Sequence, residues 1–596
     1  MPLPDAARSR RHLAETFFTE RGRFLLSWDE GPVLGTVQDD GALHLDVPVD
    51  AQRASTDTRI GLDGDAVLYV ESREVLVTVQ MDDAEVVVAE SGLSGRSQRW
   101  HATLPPAEHG HWTLTDVVDA WDEEGAHCLV LTVEDGAGSV EFHQIGAGKP
   151  ARAHRPRVPG QLVYWDLRCD AAVLREDRGP WDSRLHLERP LSKATPQAVE
   201  ARWADGWEGH GLLIETPSGS ASRLVGWDLA AHSRITIAGP AGHIDAARFT
   251  REGSGRVLVV ATVEGSDTLH LWNPDDDENV QLPLDGTGRL RIRTAGPRGI
   301  GIYRVSTLGG SSWIWLDQDG NLHRSGGEIP RHGGQATLSH VWYGRTPALR
   351  YLPEQPPVAA VVSLHGGPES LERDELRWDG LYRELLDAGV AVIGLNYCGS
   401  TGYGPLHTQR AWKTWTTAFR EDVESCIAAA AEWGVGPADI ALLGGSFGGA
   451  LALLGCVLRH DLAGAVASAP LIDIRRHAER AAAADPSYRD WFGARFELAA
   501  SATPAQRVFD PGHLCATDPG QRVFLVHGSE DEVTQWQHSK RAADEAVRRE
   551  LPWTLVTEAG AGHVPADLDE AEHRYRNIHS ALLQVLGMDP VTEATS

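Results

Sequence analysis

Ser446 sits in Gly444-Gly445-Ser446-Phe447-Gly448, a G-x-S-x-G that follows the apolar run Ile440-Ala441-Leu442-Leu443 and precedes Gly449-Ala450-Leu451-Ala452-Leu453-Leu454. A bare G-x-S-x-G is as often a glycine-rich turn with an incidental serine. A strand before it and a helix after it make it a nucleophile elbow, in which a strained turn lifts the serine Oγ above a sheet. A hydroxyl is a weak nucleophile near neutral pH, so it needs a base and a group that orients the base. The run Arg522 to Val526 leads into His527-Gly528-Ser529-Glu530-Asp531, and Trp553 to Thr557 leads into Glu558-Ala559-Gly560-Ala561-Gly562-His563. Each delivers a candidate just past the carboxyl end of a strand, where open α/β sheets collect ligands. Alone, Asp531 reads equally well as a turn or cap and His563 as a surface histidine; together they read as acid and general base. Acyl transfer also requires N–H donors for the oxyanion. Leu364-His365-Gly366-Gly367-Pro368 supplies a fitting loop, and the expected donors are the N–H groups of Gly367 and Phe447.

The elements that must hold these residues are legible around them. Strands are expected over Val358 to Leu364, Val390 to Leu395, Ile440 to Leu443, Ala463 to Ala467, Val523 to Val526 and Trp553 to Thr557. Helices are expected over Asp379 to Ala388, Glu421 to Trp433, Gly448 to Arg459, Gln537 to Arg549 and Ala571 to Leu586. Strands alternating with helices predict a mixed, mostly parallel sheet with helices on both faces, the α/β-hydrolase arrangement, over residues 335–596.

Residues 23–334 have a different grammar. Short β-rich runs such as Val257 to Val263 are closed by turns such as Asp39-Asp40-Gly41 and Asp319-Gly320-Asn321, and long helical patterns are nearly absent. Tryptophan-bearing strand ends recur at Trp165, Trp227, Trp272 and Trp315, spaced roughly 45 to 60 residues apart, near a blade-like period of about 40 to 50. A β-propeller of about seven blades is predicted, with a β-sandwich array as the alternative. Residues 1–22 read as a helical segment that packs back on the hydrolase domain.

Composition bounds the partners. The chain has 596 residues, 42% hydrophobic and 23% charged, and 84 acidic against 55 basic residues give a net charge of −29. Such a charge repels nucleic acid and anionic membrane surfaces, and no run of about 18 apolar residues is present. Six scattered cysteines form no C-x-x-C pair, which fits a reducing cytoplasm rather than a disulfide or zinc framework. His109-Gly110-His111 and the His573 and His579 pair lack a metal-ligand set, and no phosphate-binding glycine motif follows a strand. No cofactor and no metal are expected; a homo-oligomer is left open.

His365-Gly366-Gly367-Pro368, Asn396-Tyr397-Cys398-Gly399-Ser400-Thr401-Gly402-Tyr403-Gly404, Gly444 to Gly449, Ser468-Ala469-Pro470 and the Asp531 and His563 loops together resemble the prolyl oligopeptidase family of serine peptidases, in particular its acylaminoacyl-peptidase and dipeptidyl-peptidase-like branches. The resemblance implies a propeller that covers the active site and admits short peptides. Two departures bear on specificity. Where family members often carry Arg or Asn two residues past the catalytic Asp, this chain has Val533, which cannot hydrogen-bond substrate; and Val341-Trp342-Tyr343-Gly344-Arg345 replaces the usual Asp-Gly hairpin. Paired glutamates for a free substrate amine are not evident, since Glu123-Glu124 sits in a turn-like acidic run.

The expected activity is hydrolysis of short peptides through an acyl-enzyme on Ser446. The apolar lining near Phe447, Tyr397, Trp491 and Phe492 is a candidate subsite, with His365 and Val533 as further candidate contacts. A carboxylesterase or acyl-transferring peptide-tailoring enzyme shares the same triad, and a catalytically silent propeller binding protein is the alternative of another class.

Overall fold

The computed structural model describes the chain from Glu15 to Met588 except for short internal stretches, the longest being 49–65 and 500–508. The amino-terminal part is built of four-stranded antiparallel meanders, seven among the described residues. They run Glu15–Phe18 to Leu43–Pro48, Ala66–Val70 to Ser97–Thr103, Thr113–Trp121 to Lys149–His154, Gln161–Asp166 to Gln197–Glu200, Arg202–Trp207 to Ser233–Ile237, His243–Phe249 to Glu278–Leu282, and Arg289–Gly296 to Leu322–Gly326. The third and fourth share one sheet through the parallel pair Asp166 and Trp121.

Period-two alternation explains why the meanders stack. In Val257–Val263, Val257 and Val259 pack toward the fifth meander while Leu258 and Val260 pack toward the seventh, so both faces are buried and the run reads as continuously apolar. The strand Glu15–Phe18 lies beside Arg289–Gly296, bringing the first meander against the seventh. This is a β-propeller. Trp227 and Trp272 occupy the third strands of consecutive meanders, and each indole N–H bonds a residue five positions on, in the turn that follows: His232 Nδ1 at 3.2 Å and Asp277 Oδ1 at 2.8 Å.

One expectation is corrected here. Residues 15–18 are not helical. They form a strand paired antiparallel with Arg23–Trp28, in register from Glu15 opposite Ser27 to Phe18 opposite Phe24. Thr16, Phe17 and Phe18 favour a pleated surface once a neighbouring strand is available; residues 1–14 lie outside the described residues.

The second sheet has eight strands in the order Thr337–Tyr343, Thr346–Leu352, Val390–Leu395, Ala359–Leu364, Ile440–Gly445, Gly464–Ser468, Arg522–Gly528 and Trp553–Glu558. The first two form an antiparallel hairpin and the last six run parallel. The hairpin closes at Gly344, whose φ of +63° suits a glycine turn, so the missing Asp-Gly pair does not prevent it. Apolar cores cover both faces, one against Trp415–Glu432 and Phe447–Leu458, the other against Leu381–Asp387 and Leu568–Val585. Among the described residues no helix is long and apolar enough to cross a membrane.

The propeller and the eight-stranded sheet are joined by a buried charged ribbon, residues 372 to 375, which follows the 365–370 loop. Arg373 reaches Asp245 at 2.8 Å, and the Asp374 carboxylate takes bonds from Thr287, Ser306 and the Thr307 N–H at 2.7, 2.7 and 2.9 Å. Isolated buried charges are costly; Arg373, Asp374 and Glu375 meet counter-charges or donors from the propeller, while Glu372 is met by Arg377 and Tyr382 of the hydrolase domain itself.

Candidate active site

Ser446 lies between strand Ile440–Gly445 and helix Phe447–Leu458, with φ 53° and ψ −121°. A non-glycine residue at positive φ is strained, and neighbours hold it there. Its N–H donates to Ser468 O at 2.9 Å, and its carbonyl accepts from Leu471 N at 3.0 Å. Glycine is obligatory around it for reasons of space. A Cβ on Gly448 would stand 2.1 Å from Leu364 O, and one on Gly444 would stand 2.1 Å from Gly448 O. These contacts press the helix start against the end of strand Ala359–Leu364. The 366–367 loop lies beside the elbow, where an added Gly366 Cβ would sit 3.4 Å from Ser446 Cβ.

Asp531 and His563 follow Arg522–Gly528 and Trp553–Glu558, the two parallel strands beyond Gly464–Ser468. His563 Nδ1 is 2.7 Å from Asp531 Oδ2. Oδ1 accepts the N–H groups of Val533 and Thr534, both at 2.8 Å, and Oδ2 also accepts from Thr534 Oγ1 at 2.9 Å. Burial raises the Asp531 pKa, but the bonds from His527, His563 and Thr534 outweigh it and hold the carboxyl well below the usual carboxylate range. The His563 loop is anchored from helix Leu568–Val585. Arg574 donates to His563 O at 2.8 Å and Gly562 O at 2.9 Å while pairing with Glu558 at 2.7 Å. An imidazole held through Nδ1 leaves Nε2 as the ring atom able to take a proton, the arrangement acyl transfer needs.

Gly367 adopts φ +136°, and a Cβ there would meet Glu369 N at 2.9 Å. Glu369 is held by Arg495 through 2.7 and 2.9 Å bonds.

The candidate substrate contacts are placed differently. His365 is buried, with Nε2 2.7 Å from Ser400 Oγ and its ring stacked on Tyr397 at 4.2 Å. Burial pushes its pKa down to about 3. Tyr397 is fully buried and bonds His365 O at 3.0 Å. Phe447, Trp491 and Phe492 belong to one buried aromatic cluster with Trp415, Phe496 and Phe509. These side chains are buried against one another in the core of the hydrolase domain, as large aromatic area is wherever packing allows. Val533 is half exposed and stands beside Asp531. Glu123 and Glu124 lie far along the chain in a hairpin turn, paired with Arg152 and Lys149.

Sequence reasoning missed Thr534, Arg574 and Trp378. Trp378 donates to Ser363 Oγ at 3.2 Å, and its ring would stand 3.1 Å from a Cβ on Gly445, beside Ser446. None lies in a motif with fixed spacing, so nothing marked them.

Residues 380–589 match the family model described as the prolyl oligopeptidase family. Dipeptidyl aminopeptidase BIII of Pseudoxanthomonas mexicana is 34% identical over 106 residues, which cover 18% of this chain and 15% of that protein. A puromycin-hydrolyzing peptidase of Mycobacterium tuberculosis superposes with a TM-score of 0.71 at 18% identity, over 99% of this chain and 97% of that one. The acylaminoacyl peptidase of Pyrococcus horikoshii does so with 0.67 at 11% identity, over 100% and 99%. At these identities the structural likenesses speak for the two-domain fold.

Proposed function

We propose that this chain, which carries a prolyl oligopeptidase family domain over residues 380–589, is a serine peptidase acting on short peptides. Ser446 attacks the scissile carbonyl, and His563 takes its proton and passes it to the leaving amine. Asp531 fixes the His563 tautomer and offsets the imidazolium charge. The N–H groups of Gly367 and Phe447 receive the oxyanion, and water then hydrolyses the acyl-enzyme. The observation that carries the reading is the 2.7 Å contact of His563 Nδ1 with Asp531 Oδ2 on the same sheet edge as a strained Ser446. Docking of the propeller through residues 372 to 375 supports its role in restricting access to short chains. Six free cysteines, five of them buried, support a reducing compartment such as the cytoplasm.

The test is a panel of chromogenic amides with free, acylated and dipeptidyl N-termini, together with puromycin and a simple ester, using Ser446→Ala as the blank. Serine-dependent amide cleavage supports the peptidase and ranks its subclass. Cleavage of the ester alone replaces the peptidase with an esterase. No turnover combined with no labelling by a fluorophosphonate removes the enzyme reading.

A further inference from the structure

A second histidine touches the acid. His527, fully buried at the end of strand Arg522–Gly528, places Nε2 2.8 Å from Thr534 O and 3.2 Å from Asp531 Oδ2. Both partners are acceptors, a carbonyl and an ionised carboxylate, so Nε2 must carry the proton that bridges them. The opposite nitrogen, Nδ1, lies 2.8 Å from the hydroxyl of Ser539, which is fully buried on helix Trp536–Arg548. Oδ2 of Asp531 is thus shared by two imidazoles and the Thr534 hydroxyl. Thr534 in turn reaches Ala469 O at 2.9 Å, and Ala469 directly follows Ser468, whose carbonyl holds the Ser446 N–H.

We infer that His527 is a positioning residue for the proposed triad, fixing the Asp531 carboxylate and the 531–534 turn, with Ser539 donating to Nδ1 and thereby keeping the proton on Nε2. The inference rests on the Ser446, His563 and Asp531 reading. His527 does not serve as the base, since both its nitrogens are engaged inside the protein. It acts by denying Asp531 the freedom to rotate away from His563. Misplacement of a catalytic group by about 1 Å costs on the order of 100-fold in rate. Its effect therefore falls on kcat and not on substrate binding.

The experiment compares kcat and KM of wild type, His527→Leu, His527→Gln and Ser539→Ala on the best amide of the panel, with fluorophosphonate labelling rates and thermal melts alongside. His527→Leu removes the donor and lowers kcat by roughly 100-fold with KM within about two-fold. His527→Gln, whose amide N–H reaches the same acceptors, recovers most of that loss. Ser539→Ala gives a smaller loss, again in kcat. Wild-type kcat in His527→Leu, or a Gln variant no better than Leu, overturns the inference; if His527→Leu does not fold, unchanged kcat in Ser539→Ala overturns it. Failure of wild type to label with the fluorophosphonate overturns the triad reading itself, whereas a labelled wild type with unaltered variants overturns only the role of His527.

Discussion

Glu375 Oε2, in the ribbon that follows the 365–370 loop, stands 3.0 Å from Arg289 Nη1 on the first strand of the seventh meander. Arg377, on its own segment, lies 3.4 Å from Oε1, and Arg291 lies 3.6 Å from Oε2. Burial pushes the Glu375 pKa up, but the three guanidiniums, Arg289 foremost, outweigh burial and hold it down at about 2. The docking of propeller on hydrolase is therefore electrostatic at a place from which the 365–370 loop hangs.

A pH signature follows from this contact. The folded pKa is depressed below the ordinary 4.5, so the stabilisation is fully present above 4.5 and is lost as pH falls toward 2. Glu375→Gln is expected to lose about 3 kcal/mol at pH 7, because buried arginines are left short of a counter-charge. It also flattens the decline of Tm between pH 4.5 and 3. Thermal melts of both proteins across that range check this. Parallel Tm curves would mean that Glu375 does not carry the acid sensitivity.

The close approach at the elbow gives a pair of contrasting glycine substitutions. Gly448→Ala forces a methyl against the backbone oxygens of Leu364 and His365, at 2.1 and 2.5 Å, and backbone cannot step aside. A loss of about 3 kcal/mol or more is expected, at the top of the overpacking range, together with loss of activity. Gly560 has φ +77° but open space around it. Gly560→Ala therefore costs only the left-handed penalty of about 1 to 2 kcal/mol. Denaturant unfolding of the two variants separates crowding from backbone strain; similar costs for both would show that the helix can retreat from the strand.

Asp531→Asn tests the orientation of the base. Asn presents an amide where His563 Nδ1 needs an acceptor, so the imidazole is held in the wrong tautomer. In the triad this costs about 10⁴-fold in kcat, while folding is retained because the Val533 and Thr534 N–H bonds still find an oxygen. Steady-state kinetics with a circular dichroism check measures it. A loss under about ten-fold would place the orienting acid elsewhere.

What was readable in the sequence follows the physics of each half. The catalytic strands were legible because parallel strands buried on both faces read as uninterrupted apolar runs, and Val390–Leu395 matches its expected limits at both ends. The nucleophile, acid and base were nominated because they follow such runs. The propeller was readable as a period rather than as individual elements, since a degenerate repeat marks only recurrent positions such as Trp227 and Trp272. Glu15–Phe18 was misread because strand formation there depends on pairing with Arg23–Trp28 and on the seventh meander, which is distant in sequence. The short helices Ile474–Ala484 and Ser487–Arg495 were not anticipated: the second carries little periodicity, and the first buries only Ile474, Ala478 and Ala482, a stripe of mostly small residues that stands out weakly in sequence. His365 and Tyr397 looked like site residues by position but are buried against one another, a contact made only by the fold.

Arg495 offers the last test, of whether the 365–370 loop is braced from outside. Its guanidinium lies over the rings of Trp491 and Trp412, at 4.1 and 4.5 Å, and bonds both oxygens of Glu369. Glu369 is two residues past Gly367, so a rigid fork on one side is transmitted to a candidate oxyanion donor on the other. Arg495→Lys keeps the charge but not the planar fork or the stacking, whereas Arg495→Met keeps bulk alone. Both variants are expected to lower kcat by roughly ten-fold, less than a full displacement of the loop would cost, with Met the more severe and KM little changed. Kinetics on the same amide, with melts run in parallel, decides between bracing and mere packing. A drop in Tm without any change in kcat would confine the Arg495 and Glu369 pair to stability and leave the 365–370 loop to hold its own shape.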